Sequence, residues 1–427
     1  MELYDAYSTI LKEELKPALG CTEPVAIAFT AASSVQLLGH EPDSIKVICS
    51  GNVVKNVKGV SVPNSDGMKG VESAAILGAI GGNADLKLEV LSSVTKEDIE
   101  KTKKLLATGF ATVVLAEDIP GLYIKVIAIS GKESAEATLQ NCHDQITEKM
   151  KNGKVVLSSA ASADSKNEKN YLDSLKERLT IKDIIDYCDN VDIDLIKDIL
   201  ERQIQFNTAI SEEGLKNNYG SSIGKMLLRY YDKNDVRIRA RATAAAGSDA
   251  RMSGCALPVV INSGSGNQGL TVSMPVIEYA TYLSVSHEKL LRALALSNLA
   301  AIHQKYFIGP LSAYCGAVSA AAGASAAIAY LHGGREKEIS ESISNTLAMV
   351  AGIVCDGAKA SCAAKIATAL DSAILGYEMA MDERKSFSGG DGLVHDNVEK
   401  TIKAFGKVGK DGMKETDIEI LHLMLSN

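Results

Sequence analysis

Leu311–Leu331, "LSAYCGAVSAAAGASAAIAYL", runs without one charged side chain. Its length suits a membrane span. Its apolar character, however, comes from Ala, Ser and Gly rather than Leu, Ile and Phe, so insertion into lipid would gain little. Small side chains let helix backbones approach closely, and the stretch reads as a helix buried among other helices of a soluble enzyme. The bias extends beyond it: the chain has no Trp and only six Phe in 427 residues, while Ala, Ser and Gly crowd its second half. That composition predicts a compact, largely helical body.

With 46% hydrophobic residues the chain can bury at least one large core, and its length suits two or three domains. Lys and Arg number 45 against 53 Asp and Glu, so the net charge is 45 − 53 = −8. A mildly acidic chain without a basic run lacks the phosphate attraction that dominates nucleic-acid binding. The opening "MELYDAYSTILKEELKP" has no basic n-region, apolar h-region or cleavage site. Eight cysteines without an export signal do not make a disulfide framework. The expected setting is the reducing cytoplasm, with no membrane and no nucleic acid as partner and a homo-oligomer left open.

The spacing predicts an amphipathic helix over 2–16, stopped by Pro17, and a second from Val25 to Leu38 that ends at Gly39. "SIKVICSG" (44–51) and "VVKNVKGVSV" (53–62) read as paired strands. A short helix over "DGMKGVESAAILGAIGG" follows. Strands are then expected at 86–91, 111–115, 123–129 and 154–157, with helices at 95–107 and 137–150. That order is β-α-β-β-α-β, a ferredoxin-like arrangement. The fold class is therefore α+β, with an N-terminal part of the helical body at 1–83, a small α+β domain at 84–160 and an Ala/Gly-rich helical catalytic domain at 161–427. "SSAASADSKNEKN" (158–170) reads as a linker, and Thr180 as the cap of an acidic helical pair reaching Asn207.

"NSGSGNQG" (262–269) is a formal G-x-G-x-x-G match after a strand-like "LPVVI". A dinucleotide site needs a helix to open there. Pro275, six positions beyond the last glycine, is expected to break it. A PLP enzyme's carboxylate-gripping loop looks similar, but upstream "YYDKNDVRIRARAT" lacks a Ser-aromatic-Lys setting for a Schiff base. The preferred reading is an anion-holding loop without PLP, against that of a plain Gly-rich turn.

Among the cysteines, Cys49, Cys142 and Cys188 stand in ordinary strand or helix contexts, and Cys255 is ambiguous. Cys21, in "LGCTEPVAIAF", precedes a helix for which Thr22 is a credible N-cap. The positive helix end would lower its thiol pKa, so a thiolate near neutral pH is expected, though a core cysteine fits the spacing as well. Cys315, Cys355 and Cys362 lie in Ala/Gly-rich stretches. On one unbroken helix Cys355 and Cys362 would sit ~10.5 Å apart on one face, too far for a disulfide. Core packing and a multi-atom cluster both remain open, since thiolates are the usual iron–sulfur ligands but follow no universal spacing.

Taken together, "GCTEP" (20–24), "NSGSGNQG" (262–269), "LSAYCGA" (311–317) and "GIVCDGAKASCAAK" (352–365) resemble the L-cysteine desulfidase family. Those oxygen-sensitive proteins are related to iron–sulfur L-serine dehydratase alpha chains, and the resemblance covers essentially the whole chain. It implies a [4Fe–4S] cluster on Cys315, Cys355 and Cys362, Cys21 as base, and PLP-independent β-elimination of L-cysteine to sulfide, ammonia and pyruvate. Three thiolate ligands would leave one iron open as a Lewis acid. Asn262, Ser263, Ser265, Asn267 and Gln268 would hold the carboxylate of this small amino-acid substrate. Lys359, His303 and Lys305 are further polar candidates, with Asn52 or Asn56 from "SGNVVKN". L-serine is the alternative substrate, and a non-catalytic iron–sulfur redox or amino-acid sensor is the alternative of another class.

Overall fold

Each early helix stops where its sequence says it should. In the computed structural model the helix Leu3–Glu14 ends shortly before Pro17, and Thr22–Leu38 ends at Gly39, which takes φ 93° and donates its N–H to Val35 O. Residues 3–116, 119–158, 171–382, 387, 389–390 and 392–426 are described. The linker expected at 158–170 therefore lies, beyond Ser158, outside the described residues.

The Ala/Ser/Gly bias does what close packing requires. Gly316–Leu331 is buried along almost its whole length. A Cβ on Gly323 would stand 2.5 Å from Ser297 O in His287–Ile308, so only glycine lets these two helices come together. Gly266–Tyr282, Glu336–Val350 and Ser361–Met381 pack on Gly316–Leu331, and Val236–Met252 packs on the first and last of these three. Among the described residues no helix is long and apolar enough to cross a membrane.

The α+β class holds, but the ferredoxin-like order does not. One six-stranded sheet runs β3-β2-β4-β5-β6-β7, with β2 Ser44–Ser50, β3 Ala111–Ala116, β4 Tyr123–Ser130, β5 Glu133–Gln140, β6 Ile146–Lys151 and β7 Lys154–Ser158. Only β2 and β3 are parallel. Thr22–Leu38 packs on β4 and β5, and Val71–Gly81 packs against Thr22–Leu38 and β3. The expected helix 137–150 is two strands and a turn. Asn152 and Gly153, both at positive φ, form a tight β6–β7 hairpin that requires a strand before them.

Two expected strands are also absent. Residues 86–91 fall largely in a 3₁₀ turn, Ala84–Glu89. Gly51–Val57 is a helix, capped by Ser50, in which Val53 and Val57 bury one face. Burial of that face overrides the β preference of its valines.

The last two strands, β1 Pro17–Leu19 and β8 Pro258–Val260, pair antiparallel apart from the large sheet. This pairing, rather than Pro275, removes the dinucleotide reading, which needs a parallel βαβ unit. Pro275 does not stop the helix: Gly266–Tyr282 runs through it. Thr271 and Ser273 donate their hydroxyls to the carbonyls of Asn267 and Gly269, each at 2.7 Å, and the surrounding turns are buried. Packing there outweighs the ~3 kcal/mol a mid-helix proline costs.

Candidate active site

Four helix starts meet at one cavity of about 110 Å³. Cys21 is the N-cap of Thr22–Leu38 and Cys315 that of Gly316–Leu331; Cys362 lies in the first turn of Ser361–Met381, and Ser265 caps Gly266–Tyr282. At none of the three cysteine-bearing helices does the N-cap side chain make a cap hydrogen bond. Each start carries partial positive charge, so the cavity favours anions.

Cys315 and Cys355 are held side by side by backbone. Tyr314 and Val354 form an antiparallel bridge, with Cys315 N donating to Ile353 O at 3.1 Å and Cys355 N to Ala313 O at 2.6 Å. Cys355 and Cys362 do not share a helix. Gly357, at φ 93°, turns the chain between them, and the helix opens only at Ser361. Burial and the neighbouring Cys355 push the Cys315 thiol up to about 12, and burial raises Cys362. Among the described residues no three His, Cys, Asp or Glu side chains converge closely enough to hold one metal ion. Three thiols around one cavity suit a multi-iron cluster, whose positive irons would draw those protons off.

Cys21 departs from its expected state. It, not Thr22, is the N-cap, and its thiol donates to Glu23 Oε2 at 3.1 Å. Burial and the Glu23 carboxylate raise its pKa well above the ordinary thiol value, overriding the helix end. Glu23 is itself buried. Burial works against its charge, but His143 and the Cys21 thiol outweigh this and hold it down to about 2. Thr22 Oγ1 donates to Oε2 at 3.0 Å and Asn56 Nδ2 to Oε1 at 3.1 Å, while His143 Nε2 lies 3.7 Å from Oε1.

Ser263, Ser265, Asn267 and Gln268 line the cavity, as do Asn56 and Lys305. Burial brings Lys305 down to about 8 against the pull of Cys355 and Cys315. Asn262, Lys359, His303 and Asn52 do not line it. Asn262 lies beneath the loop, its Nδ2 donating to Asn298 Oδ1 at 3.0 Å. Lys359 pairs with Asp356 at 2.8 Å, and His303 faces Glu399 at 2.6 Å. Asn52 stands by Gly121.

Glu23, Lys55, His143 and Arg251 line the cavity without having been singled out from sequence. His143 sits in the β5–β6 turn, which the sequence had disguised as helix, and Lys55 in the misread strand. The Asn-Gly pair at 152–153 was the available clue to the first. The one Arg in the Ala-rich "ATAAAGSDARMSG" (242–254) was the clue to Arg251, since such a stretch buries and charges are rarely buried alone.

A relative from Lachnoclostridium phytofermentans, named only "UPF0597 protein", is 51% identical over 99% of this chain and 100% of its own. Others of the same name from Finegoldia magna (48%; 98% and 99% covered) and Treponema denticola (47%; 99% and 98%) are similar throughout. The profile described as "Serine dehydratase alpha chain" matches residues 85–422, a span that holds the glycine loop and all three Cys315, Cys355 and Cys362. The chain belongs to the serine dehydratase alpha chain family.

Proposed function

We propose that the protein is an iron–sulfur lyase that removes sulfide from L-cysteine by β-elimination, without PLP, leaving ammonia and pyruvate. The observation that carries this reading is the convergence of Cys21, the glycine loop and Cys315, Cys355 and Cys362 on one cavity. Cys315, Cys355 and Cys362 would hold a [4Fe–4S] cluster, which supplies an open iron as Lewis acid for the substrate.

The remaining work falls to the chain's own side chains. Cys21 accepts the Cα proton in its thiolate form; the resting thiol's own proton leaves to bulk water as cluster and substrate bind, since Glu23, held down to about 2, is too weak a base to take it. Ser263, Ser265, Asn267 and Gln268 line the side of the cavity that would take the amino-acid end of the substrate. Lys305, on the Cys315 and Cys355 side, offsets negative charge on the departing sulfur. As the Cα–H bond breaks, its electrons form the Cα–Cβ double bond and the Cβ–S pair leaves with sulfide. The product 2-aminoacrylate tautomerises and hydrolyses in water.

The family's name favours a second substrate, L-serine, with water as the leaving group. Anaerobically reconstituted protein, assayed for iron, acid-labile sulfide and kcat/KM on both amino acids, separates the readings. A higher kcat/KM for L-cysteine is expected; preference for serine would move the assignment to serine ammonia-lyase. An iron-loaded but inert protein would favour a sensor. Cys315→Ser, Cys355→Ser and Cys362→Ser should each lower iron content and bleach the broad visible absorbance, whereas Cys21→Ser should keep both and lose turnover.

A further inference from the structure

Arg251 is 2% exposed, yet its guanidinium lines the cavity. It lies directly beneath the glycine loop: a Cβ on Gly266 would stand 2.8 Å from its Cζ. Among the described residues its Nε has no hydrogen-bond partner and no ion pair to it forms. The carboxylates that might neutralise it do not do so. Asp249 forms no ion pair with it: its Oδ2 accepts from Gly224 N at 3.2 Å and its Oδ1 has no partner, while Glu23 is held by Cys21, Thr22 and Asn56. A buried guanidinium left alone is strongly unfavourable, and its planar fork matches one kind of partner best, a carboxylate.

Complementary atoms lie beside it. Asn267 Oδ1 and Gln268 Oε1 are buried acceptors without a donor, in the same cavity. Asn267 sends its amide nitrogen toward Met252 Sδ at 3.6 Å, and Gln268 packs against Gly316, next to Cys315. A guanidinium with an unpartnered Nε beside two unmatched oxygens complements an α-amino acid, with its carboxylate and ammonium two bonds apart.

We propose that Arg251 anchors the α-carboxylate of the substrate, and that Asn267 and Gln268 accept from its α-ammonium. This rests on the reading of the cavity as an amino-acid site. It makes Arg251 the residue that distinguishes amino acids from amines and amides of the same side chain.

The test compares L-serine with L-serinamide, and L-cysteine with cysteamine, as ligands of the anaerobically reconstituted full chain. Affinities come from calorimetry, with KM and kcat wherever turnover occurs. Wild type should prefer the acids. Arg251→Gln should weaken acid binding by at least about 30-fold and amide or amine binding by less than about threefold, as loss of one partner of a buried charge pair does. Arg251→Lys, which keeps the charge without the fork, should fall between. It also reads the ratio if the glutamine variant fails to fold. Iron and sulfide per chain should not change.

An acid-to-amide ratio unmoved in the folded variants overturns the proposal. So does loss of iron together with binding, which would assign the guanidinium to the cluster. If wild type holds no iron and releases no sulfide or pyruvate, yet its preference for acids depends on Arg251, the lyase reading falls and the anchor stands. Turnover with an unmoved ratio has the opposite meaning.

Discussion

Gly357 lies between two candidate ligands at φ 93°, and a Cβ there would press on the carbonyl oxygen of Lys55. Gly357→Ala should therefore cost about 2–4 kcal/mol, from the left-handed backbone and the clash together. Because the strain falls on the loop carrying Cys355, iron retention should drop with it; urea titration and iron analysis on the same sample check both. At this scale the residues that meet at the cavity were largely legible. Cys21, Cys315, Cys355, Cys362 and most of the glycine loop stand in motifs and meet in space. What sequence misjudged was their state: Cys21 reads as an acidic thiol at a helix start, yet burial beside Glu23 keeps its proton on. Burial and cross-chain neighbours decide a pKa, and neither is local in sequence.

The terminal helix Lys414–Leu425 buries none of its own residues, yet it rests against the cavity wall. Asp417 pairs with the nearly buried Lys55, Lys58 donates to the Met424 carbonyl, and Leu421 covers Gly51. Asp417→Asn would leave Lys55 buried without its counter-charge, at a cost of about 3 kcal/mol. That cost should appear as undocking of one element, not as global unfolding. Hydrogen exchange should accelerate in peptides covering 414–425 and in Gly51–Val57, while helices such as His287–Ile308 stay protected. Elements defined by strong punctuation were legible, among them the helices stopped at Pro17 and Gly39. Gly51–Val57 and 137–150 were not. In the first, one buried face outvoted the valines; in the second, a turn signal at 152–153 was passed over, which also hid His143.

At the scale of the molecule, Glu399 ties three helices together. It accepts from Ile181 N at 2.8 Å at the start of Ile181–Asn190, faces His303 in His287–Ile308, and belongs to Val398–Lys407. Burial would raise its pKa, but these partners win and lower it below the ordinary 4.5. The unfolded chain therefore binds this proton more readily than the folded one. The stabilisation is fully present above pH 4.5 and is lost as pH falls through the lower folded value. Melting temperatures between pH 3 and 7 should show Glu399→Gln less stable than wild type near neutrality, with the gap closing in acid. The helical, small-residue character of the body was legible because it is compositional, whereas the order of the sheet depends on long-range pairing. The uncapped starts of the Cys21, Cys315 and Cys362 helices have a consequence for the whole chain. An anion held there binds the helix starts of the folded chain alone, so occupancy and folding are linked equilibria. The melting temperature then becomes a binding isotherm, rising with the logarithm of ligand concentration and reporting affinity even when no product forms.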